Sequence, residues 1–272
     1  MPREIYSEIL NKYLEIPDEP RVVSLAPSIT DSIAVLDRWD LLVGISIYCK
    51  VPDGLPEKPR VGSYLKVLYR RLNELNPDLI LLTTGAQRGV MDELSSKGYK
   101  IYPIPLPTSI YGILENLYII GSILDAVENA LNRISSYISL LNEIRSERLG
   151  TVYYEVDLGE PITVGASSYI NSSLYHIGLL NIFSRYMKAY FKPDFKVIKH
   201  RDPDFIIYEM SKAREVSLDG LIKIFYERGW NDLKAVREGR VIILPQDSLA
   251  HYGPAHFDTL RELRDLVLSY IK

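Results

Sequence analysis

The side chains of this chain with the most chemical potential are four histidines, one cysteine and three carboxylates that end apolar runs. A transition-metal site needs three or four converging ligands. His251 and His256 are separated by Gly253-Pro254 and do not share a helical face, and His176 falls in a largely apolar helical stretch, so the histidines do not assemble a dedicated zinc or manganese site. Cys49 stands alone, which excludes an internal disulfide, and no histidine near it in sequence would activate a thiolate. Glu155, Asp157 and Glu209 end strand-like runs, but no spacing defines an acid and a base among them. No Gly-x-Ser-x-Gly elbow is present. Two turns could hold an anion at a helix N-terminus, Thr84 to Gly89 and Gly165 to Ser168. Neither is a phosphate-binding P-loop. Arg88 is the one side chain in them able to grip a phosphate or carboxylate. Ser28 reads as a helix N-cap that can also touch a ligand. The chemistry indicated is binding, not catalysis, with no catalytic cofactor.

These residues hang on a repeated frame. Asn76-Pro77-Asp78 precedes Leu79-Ile80-Leu81-Leu82, and Asp202-Pro203-Asp204 precedes Phe205-Ile206-Ile207-Tyr208. An all-apolar run bounded by turn residues reads as a strand buried on both faces. Strands at Arg21–Leu25, Leu42–Ile47, Leu79–Thr83 and Tyr99–Ile104 alternate with helices, which argues a mainly parallel sheet. The theme returns after residue 150, with a helix running through Leu174, Ile177, Leu179 and Leu180. Between the two halves an apolar stripe recurs at spacings of three and four from Ile113 to Ile144. From Ala126 to Arg148 it would make a helix of roughly 35 Å. The fold class expected is α/β, with two similar Rossmann-like lobes carrying mainly parallel sheets and bridged by one long α-helix. The domains are an N-terminal helical extension (1–20), an N-terminal lobe (21–125), the bridging helix (126–148) and a C-terminal lobe (149–272).

Composition narrows the partners. Hydrophobic residues make up 47% and charged residues 25%, as in ordinary globular proteins, and a net charge of −3 gives no reason to expect nucleic acid. No apolar stretch reaches the roughly 18–20 residues that span a bilayer. The first sixteen residues are amphipathic and charged, without the continuous apolar region of a secretory signal, so the chain reads as cytosolic or as starting after a leader. Tyrosine outnumbers phenylalanine, 20 to 6, which suits a surface that stacks on a flat ligand and keeps hydroxyls for hydrogen bonds.

The order of segments resembles the substrate-binding proteins of ABC importers for vitamin B12, ferric siderophores and haem. The resemblance runs from about residue 20 to the C-terminus. It rests on Arg21-Val-Val-Ser-Leu-Ala-Pro-Ser-Ile-Thr30, Leu42-Val-Gly-Ile45 with Tyr48, Lys58-Pro-Arg-Val-Gly-Ser-Tyr64, Leu75-Asn-Pro-Asp-Leu-Ile80, Gly178-Leu-Leu-Asn-Ile-Phe183, and Trp230 through Arg240-Val-Ile-Ile-Leu244. It is nearest to the vitamin B12-binding branch. The resemblance implies a monomeric, non-enzymatic protein that holds a corrinoid or another metal chelate in a cleft between the lobes. It implies that Tyr48 and Tyr64 line that cleft from the first lobe. From the second lobe it implies the loop Gly165 to Tyr169, with Ser167, Ser168 and Tyr169, and the loop Asp247 to Pro254, with His251 and Tyr252. The tryptophan expected in that last loop falls near Ser248. His251 is the candidate axial ligand to a cobalt or iron centre. A siderophore or haem receptor is the alternative within the class, and an enzyme of cofactor salvage or metal insertion the alternative outside it. The resemblance also implies an extracytoplasmic protein docking on a permease through one glutamate per lobe. Here Arg70 and Lys196 fall at those places, with Glu74 and Glu215 nearby, so the expectation is that docking on a standard importer is lost.

Overall fold

The computed structural model describes residues 2–211 and 215–271. The chain divides into two compact units. The first comprises residues 1–106 and 112–137, the second residues 107–111 and 138–272.

The first unit starts with strands β1 (Arg3–Ser7) and β2 (Lys12–Ile16), an antiparallel hairpin with Arg3 opposite Ile16 and Ser7 opposite Lys12. This corrects the expected N-terminal helix. The apolar residues here fit period two as well as period 3.6: Leu14 and Ile16 point to the core while Tyr13 and Glu15 face outward. Asn11 takes the left-handed conformation that the turn needs, and Tyr6 packs on Tyr13 across the strands. Tyr102 donates to the Tyr6 carbonyl and Lys100 to the Glu15 carbonyl, which fastens the hairpin to the rest of the unit.

Next come β3 (Val22–Ser24), α1 (Pro27–Val35), β4 (Leu42–Ile45), α2 (Tyr69–Leu75), β5 (Leu79–Thr83), α3 (Arg88–Ser96), β6 (Ile101–Ile104), α4 (Ile110–Ile123) and α5 (Val127–Ile144). The sheet is parallel, in the order β4-β3-β5-β6. Strand β5 is buried throughout, with Leu79 and Leu81 in one apolar cluster and Ile80 and Leu82 in another. Helices therefore cover both faces. Asp125, with φ of 53°, breaks the long apolar stripe into α4 and α5. A Cβ at Gly121 would come within 2.7 Å of the Ala130 Cβ, so the glycine lets these two helices pack closely.

Helix α5 is 18 residues long, about 27 Å. The division between the units falls inside it, after Tyr137, rather than at its ends. Residues 107–111 group with the second unit, where the Ile110 amide donates to Ser172 Oγ.

The second unit contains β7 (Gly150–Asp157), β8 (Pro161–Val164), α6 (Tyr169–His176), β9 (Leu179–Asn181), β10 (Tyr190–Phe191), α7 (Phe195–Arg201), β11 (Phe205–Glu209), α8 (Leu218–Glu227), α9 (Lys234–Arg237), β12 (Val241–Leu244) and α10 (Ala255–Ser269). Its parallel core runs β9-β7-β11-β12, the order of the first unit again, and β8 and β10 extend it antiparallel beside the end of β7. Leu179 and Leu180 thus belong to a strand, not to the preceding helix. Gly178 stops that helix at φ of +84°, where a side chain would run into the Glu147 carbonyl.

The two Pro-Asp turns are built alike. Asn76 and Asp202 cap α2 and α7 in the left-handed conformation, and proline then prevents the helix from continuing. Asp78 Oδ2 accepts the Arg21 amide at 2.8 Å, and Asp204 Oδ2 accepts the Thr151 amide at 2.8 Å. In each unit the aspartate thereby fixes the start of the neighbouring strand, β3 or β7.

Candidate functional site

In both units the chain leaves the first parallel strand toward one side and returns on the other. A crevice opens at such a switch point, outside the carboxyl ends of the strands. In the first unit those are the ends of β3 and β5, and in the second those of β7 and β11.

At the first switch point Gln87, fully buried just before α3, ties three segments together. Its Nε2 donates to the Leu25 carbonyl at 3.1 Å and to the Tyr64 carbonyl at 2.9 Å. Its Oε1 accepts the Thr83 amide at 2.8 Å and the Thr83 hydroxyl at 3.0 Å. Because Thr83 has given its proton to Gln87, the Tyr64 hydroxyl donates to Thr83 Oγ1, at 2.7 Å. Tyr64 is half-buried, its hydroxyl tethered and its backbone pinned by Gln87. Tyr48, also half-buried, sits in a turn held by Arg60, which donates to the Ser46 carbonyl at 3.1 Å and to the Cys49 carbonyl. Buried hydroxyls and the thiol complete this turn: Thr30 Oγ1 lies 2.8 Å from Ser24 Oγ and 3.0 Å from Cys49 Sγ. Cys49 is a packed residue here.

Ser28 is not an N-cap. Pro27 opens α1 and Ala26 caps it without a side-chain bond, so Ser28 is buried in the first turn, where its carbonyl accepts Ser32 Oγ at 2.9 Å. Arg88 is exposed at the first position of α3.

At the second switch point Glu209 is fully buried. One oxygen accepts the Tyr154 hydroxyl at 2.8 Å and the Leu249 amide at 3.0 Å, the other accepts the Ser248 amide at 3.0 Å, and the Ala250 amide reaches both. The carboxylate thus orders the loop that carries His251 and Tyr252. Burial pushes its pKa up to about 7, against the opposing pull of the Tyr154 hydroxyl and the three amides.

His256 is fully buried beneath the same loop. Its Nδ1 lies 3.1 Å from the His251 carbonyl and must donate to it, so Nε2, 2.7 Å from Ser173 Oγ, accepts. Burial, then the neighbouring His251, lowers its pKa to about 3, which keeps the ring neutral.

The loop before α6 behaves differently from the expectation. Ser168 is the N-cap, its Oγ accepting the Ile170 amide at 3.2 Å, and Ser167 is half-buried beside it. Tyr169 does not line a surface. It is fully buried, its hydroxyl donates to the Leu249 carbonyl at 2.9 Å, and its ring is closed in by Tyr252 and His256. An aromatic at the first position of a helix packed on a sheet is drawn inward, which the residue pattern alone did not reveal. Tyr252 is the half-buried ring that covers it.

The structure therefore brings Tyr169 and the His251 carbonyl against His256, with Tyr252 packed on Tyr169 and Ser168 capping the helix beside it, while Tyr48 and Tyr64 belong to the first unit. Gln87 escaped the sequence reading because an amide in a turn carries no motif. Glu209 was visible as a carboxylate ending a buried strand, and its role in holding a loop was not.

The remaining strand-end carboxylates are engaged. Arg228 donates to both oxygens of Glu155, at 2.8 and 3.0 Å, and Tyr153 to one of them at 2.6 Å. Asp157 accepts the Tyr208 hydroxyl and the Gly159 amide. No group of acids, cysteines and histidines among the described residues could hold a metal ion. No helix among them is long and apolar enough to cross a membrane.

With this geometry in view, comparison with known proteins gives the class. The profile of the family described as periplasmic binding protein matches residues 22–248, and the chain belongs to that family. The ABC transporter substrate-binding lipoprotein YvrC of Bacillus subtilis, itself uncharacterized, is 24% identical over 271 residues, covering 94% of this chain and 83% of its own length. The cobalamin-binding protein of Halobacterium salinarum is 25% identical over 216 residues, 75% of this chain and 58% of that one. Among solved structures, the periplasmic vitamin B12 binding protein BtuF of Vibrio cholerae superposes with a TM-score of 0.74 at 20% identity, covering 93% of this chain and 99% of that one. A periplasmic haem-binding protein of Pseudomonas aeruginosa superposes with a TM-score of 0.78 at 19% identity, covering 91% and 92%. The fold is that of a two-lobed binding protein, and the relatives are substrate-binding proteins rather than enzymes.

Proposed function

We propose that this protein is the ligand-capturing component of an ABC importer and that it holds a corrinoid on the tyrosine-bearing loops beside its switch points. One observation carries the reading. In each unit a buried polar residue at the switch point, Gln87 after β5 in the first and Glu209 at the end of β11 in the second, anchors a neighbouring tyrosine-bearing loop, the one after β4 or the one after β12. Rigid, half-exposed aromatic rings suit a broad flat ligand, because little side-chain freedom is left to lose on binding. The cobalamin and vitamin B12 proteins among the relatives support this choice. Tyr48, Tyr64 and Tyr252 supply the rings, with Ser167 at the loop edge and Arg88 available to an anionic substituent. Tyr169 supports Tyr252 from beneath.

The test is native mass spectrometry and absorbance titration with cobalamin, haemin and a ferric siderophore. Cobalamin should bind, and Tyr64→Ala should remove roughly 1–3 kcal/mol of that binding. Unchanged affinity in Tyr48→Ala, Tyr64→Ala and Tyr252→Ala would refute the aromatic cradle. A haem reading is favoured by His251, which stands in the loop ordered by Glu209. In that case haemin gives a Soret shift that His251→Ala abolishes.

The lipoprotein and periplasmic descriptions of the relatives support a location outside the cytoplasm and a permease partner. Helix α2 offers that partner an exposed Arg70–Glu74 pair at 3.1 Å, and α7 offers the exposed Lys196. We expect the permease to answer with charges of both signs instead of arginines alone. Cell fractionation checks the location, and co-purification with Arg70→Glu and Lys196→Glu variants checks the docking.

A further inference from the structure

Away from the switch point, the second unit carries two adjoining depressions of about 550 and 260 Å³, both walled by Arg148 and Leu180. They lie at the opposite end of the sheet. Thr151 at the start of β7, Leu180 in β9 and Arg201 at the end of α7 contribute to the smaller one.

Their lining is rich in arginine. The chain has a net charge of −3, yet Arg145, Arg148, Arg185 and Arg201 converge here against one carboxylate, Glu147. Among the described residues, none of these four guanidinium groups forms an ion pair or a side-chain hydrogen bond. Elsewhere in the chain, Arg3, Arg60, Arg70, Arg228 and Arg261 each have an acidic partner. Four unanswered cations around a concave surface repel one another unless an anion joins them.

Aromatic rings accompany them. Tyr111 and Tyr175 flank the larger depression and are 53% and 71% exposed, values that are high for large rings. Tyr186 flanks the smaller one, its ring fixed by stacking on Phe191 at 5.5 Å and an interplanar angle of 8°. His176 sits at the rim of the larger space with its ring oriented by the Leu141 carbonyl, 2.7 Å away.

Guanidinium forks recognise phosphate oxygens, and exposed tyrosine faces recognise a flat base. We propose that this double depression is a second ligand site, distinct from the switch-point site, and that it binds a nucleoside phosphate. The base lies in the wider space against Tyr111 and Tyr175. The phosphates run past Arg148 into the narrower space, toward Arg185 and Arg201. The larger volume falls within the range of small-molecule pockets, about 300–1,000 Å³.

Isothermal titration of the full chain with ATP, pyrophosphate and adenosine tests this. ATP should bind, pyrophosphate more weakly, and adenosine weakest of the three. Raising the salt from about 0.05 to 0.5 M should weaken ATP binding by about tenfold or more. The double variant Arg148→Ala/Arg185→Ala should lose about tenfold or more. Tyr175→Ala should lose several-fold for ATP and nothing for pyrophosphate. These side chains are exposed and hold no other element, and circular dichroism confirms that the variants fold. Arg145→Glu, at the rim, gives an independent loss if the double variant does not. Absence of ATP binding at millimolar concentration overturns the proposal, as do unchanged affinity in the arginine variants and pyrophosphate binding as tightly as ATP. Cobalamin titration of the same variants separates this site from the switch-point site, since that binding should not change.

Discussion

Glu209 and His256 are two buried titratable groups whose pKa values move in opposite directions, so their effects on stability oppose each other. Glu209 is raised to about 7 in the folded state from an ordinary 4.5. Its contribution to stability is full below about pH 4.5 and is lost as the pH rises through 7. His256 is lowered to about 3 from an ordinary 6.5, so its contribution is full above 6.5 and is lost as the pH falls toward 3. Between pH 4.5 and 6.5 the two changes offset each other. In Glu209→Gln only the histidine effect remains, and stability should fall by roughly 2 kcal/mol from pH 7 to 4.5. In His256→Gln it should rise over the same interval by a similar amount. Urea unfolding at pH 4.5, 6 and 7 reads both slopes, and parallel curves for wild type and variants would show that neither group titrates in this window.

At the scale of elements, the repeated Pro-Asp turn makes a graded prediction. Asp78 accepts one amide, while Asp204 accepts the Thr151 amide and hydroxyl and pairs with Lys234. Asp78→Ala should therefore cost about 1 kcal/mol and Asp204→Ala about 2–3 kcal/mol, measured by denaturant unfolding. Gly178→Ala combines a left-handed backbone with a collision against the Glu147 carbonyl. It should cost at least about 2 kcal/mol and disturb the start of β9. Equal stability of wild type and this variant would mean that α6 can end elsewhere.

For the whole molecule, helix α5 holds one of the three points at which the chain passes between the units, the other two lying at either end of residues 107–111. Ser136 is exposed near that point, so a proline there removes backbone bonding with little loss of packing. Ser136→Pro should cost about 3 kcal/mol. It should also split a single calorimetric transition into two, because each unit has its own sheet and apolar core. A single sharp transition in the variant would overturn the expectation that the two cores melt separately.

Much of this architecture was legible in the residues because it is local. Asn76-Pro77-Asp78 and Asp202-Pro203-Asp204 write a helix stop, a left-handed cap and a strand start into three residues. An unbroken apolar run after each can only be a strand covered on both sides. The stripe from Ile113 to Ile144 implies long helices, and a single Asp125 decides where they part. The sites were legible only in outline, because they depend on partners distant in sequence. Gln87 reaches Leu25, 62 residues away, and Glu209 reaches Leu249, 40 residues away. Whether Tyr169 faces ligand or core depends on Tyr252 and His256 closing over it. The hairpin at the N-terminus won over a helix because its edge found Tyr102 and Lys100. The four arginines of the double depression come from three stretches of the chain, Arg145 and Arg148 from one and Arg185 and Arg201 from two others. Sequence set the alternation of elements, and tertiary structure decided which polar groups are buried, since burial is a property of what packs against a residue.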